Sequence, residues 1–181
     1  GLFGPKSREM ISSVSSDDFS NENFKFATAK LVKINDVEVW AQRISYVGEL
    51  GFELYVKKEN ALKLFDILMD KGKSFKLSLC GMHAMDIMRM ESGYLHWGHD
   101  ISPEENQFEA GLNFAVSFKK NINFIGRAAL ETKRDKKDHK KFKMLILNHS
   151  KEGAPLLLHD EPIYLKDCLL YTSDAADEAE C

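Results

Sequence analysis

Apolar positions recur along the chain with two different periods, and the switches between them divide it into elements. Met10, Ile11 and Val14 recur at helical spacing behind the Gly4-Pro5 pair, predicting a short helix. A loop rich in Ser, Asp and Asn follows. Residues 28–34 and 37–46 are rich in β-branched and aromatic side chains and flank Asn35-Asp36, so the stretch predicts a β-hairpin. A third strand is expected over residues 51–56, after a glycine-flanked turn. From Glu59 the period becomes helical: Ala61, Leu62, Leu64, Phe65, Leu68 and Met69 make one apolar face, and Gly72 is placed to end it. A second helix is expected over residues 82–91, where Met82, Met85, Met88 and Met90 read as pliable core filling. Residues 93–100 read as a loop and residues 114–118 as a strand. Two further strand-like runs lie at 142–147 and 162–165. Strands, hairpin and helices mixed in this order predict an α+β fold and argue against a helical bundle or a simple parallel sheet.

Composition narrows the class. The chain has 181 residues, of which 44% are apolar, enough to bury a core. Its apolar runs are short and interrupted by charge, far from the ~20 residues a membrane helix needs, so no membrane span is expected. The net charge of -3 is set by the last fourteen residues, which hold four of the 28 acids and no base; without them 24 acids face 25 bases. Residues 133–143 are basic, but Asp135 and Asp138 interrupt the run and no stacking aromatics accompany it. It reads as a solvated linker, with no nucleic-acid partner.

Cys168 and Cys181 lie in that acidic tail, which leaves Cys80 as the one thiol of the body. This excludes a disulfide framework and fits a reducing compartment, cytoplasmic or, in a eukaryote, the mitochondrial matrix. Cys80 is expected to pack in the core. The start at Gly1 has no secretory pattern and reads as a cut. The final string CLLYTSDAADEAEC has no turn chemistry and no apolar period; its back-translation resembles a transposon-derived library adapter, so residues 168–181 are expected to be a translated artefact.

Two segments carry candidate chemistry. In SYVGELGFELYV two glycines bracket Glu49, with Tyr46 just ahead. Glycines allow close backbone approach, and a carboxylate so presented can accept paired N–H donors from an aminopyrimidine; the pattern equally admits a plain hairpin with a solvated Glu. In MDIMRMESGYLHWGHD, Arg89 sits among Met and Ile and must find an anion or a carbonyl fork. That partner is either a ligand or Asp86, three residues earlier on the same helix. His96 and His99 lack the third ligand that a zinc site needs, and Cys80 with His83 lacks an orienting group, so neither metal binding nor a thiol nucleophile is expected.

Taken in order, GPKSRE at residues 4–9, RISYVGELGFELYV at 43–56, AMDIMRMESGYLHWGHDISPEENQFEAGLNFAV at 84–116, FIGRAAL at 124–130 and EPIYLKD at 161–167 resemble the glycine cleavage T-protein (aminomethyltransferase) family. The aromatic loop HWGHDI is more similar to the branch fused to flavin-dependent dimethylglycine and sarcosine dehydrogenases. The resemblance implies three lobes around a folate channel. Residues 1–23 would end the first lobe, 24–130 form the second, 131–140 link, and 141–167 begin a C-terminal β-barrel-like domain, truncated. It also implies a role in tetrahydrofolate-dependent one-carbon transfer, forming 5,10-methylenetetrahydrofolate from a small N-methylated amine, with FAD in a domain upstream.

The relation to the free transferase implies instead a lipoyl carrier protein as partner, and a non-catalytic folate-binding homologue is a further alternative. By the same resemblance Tyr46, Glu49 and Arg89 are the folate contacts: Glu49 holds the pteridine ring, and Arg89 anchors the carboxylate-bearing end or the channel wall. The family's catalytic Asp falls upstream of Gly1, so no catalytic residue is assigned here. Re-sequencing the source locus checks the tail: different codons are expected beyond Asp167, and an uninterrupted coding continuation would refute the adapter origin.

Overall fold

The computed structural model describes residues 1–136, 140–146, 153, 162–165 and 168–171. The chain divides into two compact units, residues 1–142 and 143–181. In the first unit a four-stranded antiparallel sheet is built from β1 (Leu2–Phe3), β2 (Ala29–Ile34), β3 (Val37–Gln42) and β4 (Gly51–Tyr55), in the order β1-β4-β3-β2. Four helices accompany it: α1 (Ser7–Ser12), α2 (Ala61–Gly72), α3 (Met82–Glu91) and α4 (Arg127–Arg134). The α+β class expected from the sequence is what the structure shows.

The expected hairpin forms with Ile34 opposite Val37 and Ala29 opposite Gln42. Asn35 takes the left-handed conformation at its tip, with φ 49°, a region Asn tolerates better than most side chains. Along β3 the burial alternates strictly: Val37, Val39 and Ala41 face the core, and Glu38 and Trp40 face out. This strand ends at Gln42, four residues earlier than the apolar pattern suggested, because residues 43–50 leave the sheet to make the Glu49 turn. β4 then returns, pairing Gln42 with Glu53 and Trp40 with Tyr55.

Its other edge is covered by β1, which pairs Leu2 with Phe52 and Phe3 with Gly51. Two residues carry no period, so only the paired edge reveals this strand. Beneath the sheet, Phe19, Phe24 and Phe52 are 1%, 1% and 0% exposed, with ring centroids 5.2–5.6 Å apart, and Met10, Ile11 and Ile34 close around them. α1 packs against both β4 and α2.

Several expectations are corrected. The buried face of α2 is Leu64 with Ile67 and Leu68, which share one helical face, while Ala61, Leu62 and Phe65 of the expected face are exposed. The second helix falls where expected, but Met82 and Met90 are exposed, so its methionines are not core filling among the described residues. Cys80 is exposed too, on the segment leading into α3. The expected strand near residue 114 is a single 3-10 turn, Asn113–Ala115, that follows Gly111 at φ 72°. α4 runs into the stretch expected as linker, with Glu131 accepting from Arg127 at 2.9 Å, an i,i+4 pair that supports the helix.

Residues 142–146 form no strand; residue 147, like 137–139, 161, 166–167 and the tail from 172, lies outside the described residues. In the second unit β5 (Ile163–Leu165) pairs antiparallel with β6 (Cys168–Tyr171). The backbone of the first tail residues therefore does continue the strand pattern. The central packing claim is direct to check: Phe52→Ala removes the ring shared by Phe19 and Phe24 and is expected to cost about 3–5 kcal/mol in the urea unfolding of this unit.

Candidate functional site

The turn that carries Glu49 is held by its carbonyl groups. On one side the Leu50 carbonyl accepts from the Gly4 amide at 2.8 Å and from Ser7 Oγ at 3.0 Å. Ser7 is 4% exposed, so this bond is made away from water. On the other side the Val47 carbonyl accepts from Ser92 Oγ, at the end of α3, at 3.0 Å. Tyr46 reaches across to the same loop: its hydroxyl donates to the Leu95 carbonyl at 3.2 Å, and its ring lies parallel to Tyr94 with centroids 6.4 Å apart. The segments containing Gly4, Glu49 and Arg89, distant in sequence, thus meet at one turn.

Glu49 itself is exposed at the end of this arrangement. Among the described residues, no hydrogen bond or ion pair engages its carboxylate. It lines a cavity of about 370 Å³ whose apolar wall comes from Phe65, Leu68 and Met69 of α2, Leu77, and Met85 and Met88 of α3. Met85 and Met88, read from sequence as core, are therefore cavity wall. On its other side Glu49 borders a smaller recess of about 210 Å³ with Arg43, Ser45 and Tyr94.

Arg89 is placed differently. It is 5% exposed, and its Nε and Nη1 donors are engaged within the chain: Nε donates to Asp86 at 2.7 Å, and Nη1 donates to the Tyr94 carbonyl at 3.1 Å and to Asp100. Asp100 also accepts the His96 amide at 2.7 Å. Burial works against the Arg89 charge, but Asp86 and Asp100 outweigh it and the net shift is upward. The hydrogen bond from Arg89 holds Asp86 below the usual carboxylate range. Arg89 thereby fixes the loop from Tyr94 to Asp100, in which the Gly98 amide donates to the Ile101 carbonyl at 2.8 Å. The His96 and His99 rings lie against each other tilted by 48°, with centroids 4.4 Å apart, and the described residues contain no cluster of three or more potential metal ligands.

The model of the GCVT N-terminal domain matches residues 1–120, which include every residue of the site. The chain belongs to the GCVT N-terminal domain family. Among GCVT relatives it is 37% identical over 165 residues to 4-methylaminobutanoate oxidase (formaldehyde-forming) of Paenarthrobacter nicotinovorans, covering 91% of this chain and 20% of that protein. It is 40% identical over 131 residues to mitochondrial sarcosine dehydrogenase of Homo sapiens, covering 72% of this chain and 14% of that one. It is also 34% identical over 166 residues to an aminomethyltransferase of Symbiobacterium thermophilum, covering 90% and 44%. These relatives are enzymes, and the chain spans less than half the length of each.

The structure brings Tyr46, Glu49 and Arg89, singled out by their sequence, to one region, together with Ser7, Ser92 and Asp100, which were not. Ser7 and Ser92 lay inside quoted motifs, yet a serine that bonds a distant carbonyl leaves no local pattern. Asp100 is eleven residues from Arg89, outside any helical spacing. Asp100→Ala leaves Arg89 buried with Asp86 as its one carboxylate. The expected loss in denaturant unfolding is about 2–3 kcal/mol, below that of a fully broken buried pair. The depressed Asp86 sets a pH signature: its contribution is fully present above the ordinary aspartate range and is lost as pH falls through the lowered folded value. Carboxyl NMR titration should show the Asp86 midpoint moving up toward ordinary in Arg89→Met.

Proposed function

We propose that this chain is the tetrahydrofolate-binding part of an enzyme that takes a one-carbon unit from a small N-methylated amine, of the dimethylglycine or sarcosine dehydrogenase type. The observation that supports it is the Glu49 carboxylate, unpartnered among the described residues, at the rim of an apolar cavity. A flat aminopyrimidine ring offers paired N–H donors, which a carboxylate accepts with charge-assisted strength, and an apolar wall suits its faces. A volume of about 370 Å³ is that of a small-molecule pocket. When bound, tetrahydrofolate supplies the nitrogen that accepts the carbon.

The chain's own residues bind and orient. Glu49 accepts from the ring; Tyr46, tied to Leu95, sets the edge of the site; Arg89 acts on the channel wall by fixing the Tyr94–Asp100 loop. Met85, Met88 and Leu68 exclude water from one side of the cavity, which protects a one-carbon unit from hydrolysis. No residue here is assigned a catalytic proton. FAD would belong to a separate domain, and the mitochondrial matrix is the compartment if the source is eukaryotic.

A second reading has one observation in its favour, the formaldehyde-forming name of the oxidase that covers most of the chain. In that case the carbon leaves as formaldehyde by hydrolysis, without transfer to tetrahydrofolate. Product analysis separates the two: tetrahydrofolate should suppress formaldehyde release during amine oxidation, and an unchanged formaldehyde yield would favour the second reading. For the site itself, calorimetry on the full-length protein should show Glu49→Gln weakening tetrahydrofolate binding by about 10- to 100-fold, as expected for loss of a charged hydrogen-bond acceptor. Binding equal to wild type would refute the assignment.

A further inference from the structure

The end of α3 meets the Glu49 turn through a hydrogen bond and a close approach that specify the same geometry. Ser92 Oγ donates to the Val47 carbonyl at 3.0 Å across 45 residues of sequence. Gly48, at φ 76°, lies directly against that serine: a Cβ built on it would stand 2.2 Å from Ser92 Oγ and 2.7 Å from Ser92 Cβ. Only glycine suits both the left-handed backbone and the contact. Val47 is anchored in the core at 3% exposure, and Leu50 is fixed through Gly4 and Ser7, but Gly48 and Glu49 between them are exposed. The Val47–Gly48 peptide, one before that of Glu49, is thus oriented where Ser92 grips the Val47 carbonyl.

We infer that Ser92 is a positioning residue for the Glu49 carboxylate. It touches no ligand; it fixes the Val47–Gly48 peptide, and through it the direction in which Glu49 meets the cavity. The inference rests on the reading of Glu49 as the ring contact. Ser92 is exposed at a helix end, so removing its hydroxyl leaves the core packing intact and acts on the turn.

The test measures tetrahydrofolate binding by calorimetry and the thermal midpoint of the full-length protein for Ser92→Ala, Ser92→Thr, Glu49→Gln and the Ser92→Ala/Glu49→Gln double variant. Ser92→Ala should raise Kd about fivefold, the size of one neutral hydrogen bond, with at most a small fall in the midpoint, and Ser92→Thr should retain wild-type affinity. In the Glu49→Gln background, Ser92→Ala should add nothing further. Wild-type affinity in Ser92→Ala, alongside a loss in Glu49→Gln, would overturn the role of Ser92 and leave the site standing. So would an equal loss in the Glu49→Gln background, or a loss that Ser92→Thr shares. Wild-type affinity in Glu49→Gln would overturn the site reading itself.

Discussion

The site depends on carbonyl groups at the turn between β3 and β4. A turn that leaves a sheet has backbone acceptors with no ladder to join, and leaving them unpaired away from water is costly. Here Leu50 is satisfied by the Gly4 amide and Ser7, and Val47 by Ser92. Each bond draws in a distant segment, so satisfying the turn also assembles the site. The N-terminal strand and helix close one flank, the end of α3 closes the other, and Glu49 is left projecting at the boundary of two recesses.

The sheet makes this arrangement stiff. Phe52, one residue beyond Gly51 in β4, lies at the centre of the aromatic core, so the strand that emerges from the Glu49 turn is anchored within three residues of that carboxylate. On the opposite side, Arg89 joins α3 to the loop after it by binding Asp86, Asp100 and the Tyr94 carbonyl. A buried guanidinium fixes geometry more than it adds stability, because its desolvation offsets much of the attraction. Its value here is that the loop carrying Leu95, the acceptor of the Tyr46 hydroxyl, has a defined place.

Elements with a clear period were legible in the sequence. The hairpin with Asn35 at its tip, the strand from Gly51 and the helix from Met82 all followed from periodicity and turn chemistry. What failed has a common physical cause: the property was decided by something remote in sequence. β1 exists because β4 offers it an edge. The methionines of α3 are apolar at helical spacing, which fits core and cavity wall alike, and only the position of α2 decides that Met85 and Met88 face a cavity. Glu49 stood out as a candidate because glycines flank it, while Ser7, Ser92 and Asp100 act through contacts 43, 45 and 11 residues away. The internal partner that helical spacing offered Arg89, Asp86, is one it has.

The central claim is that the Glu49 carboxylate, held out over the apolar cavity by the carbonyl bonds of its turn, receives a folate ring. A crystal structure of the full-length protein soaked with tetrahydrofolate tests it most directly. The pteridine ring is expected in the cavity between α2 and α3, with ring N–H groups within hydrogen-bond distance of both Glu49 oxygens and the Val47–Ser92 bond intact. A ring bound elsewhere, with Glu49 still facing solvent, would contradict it.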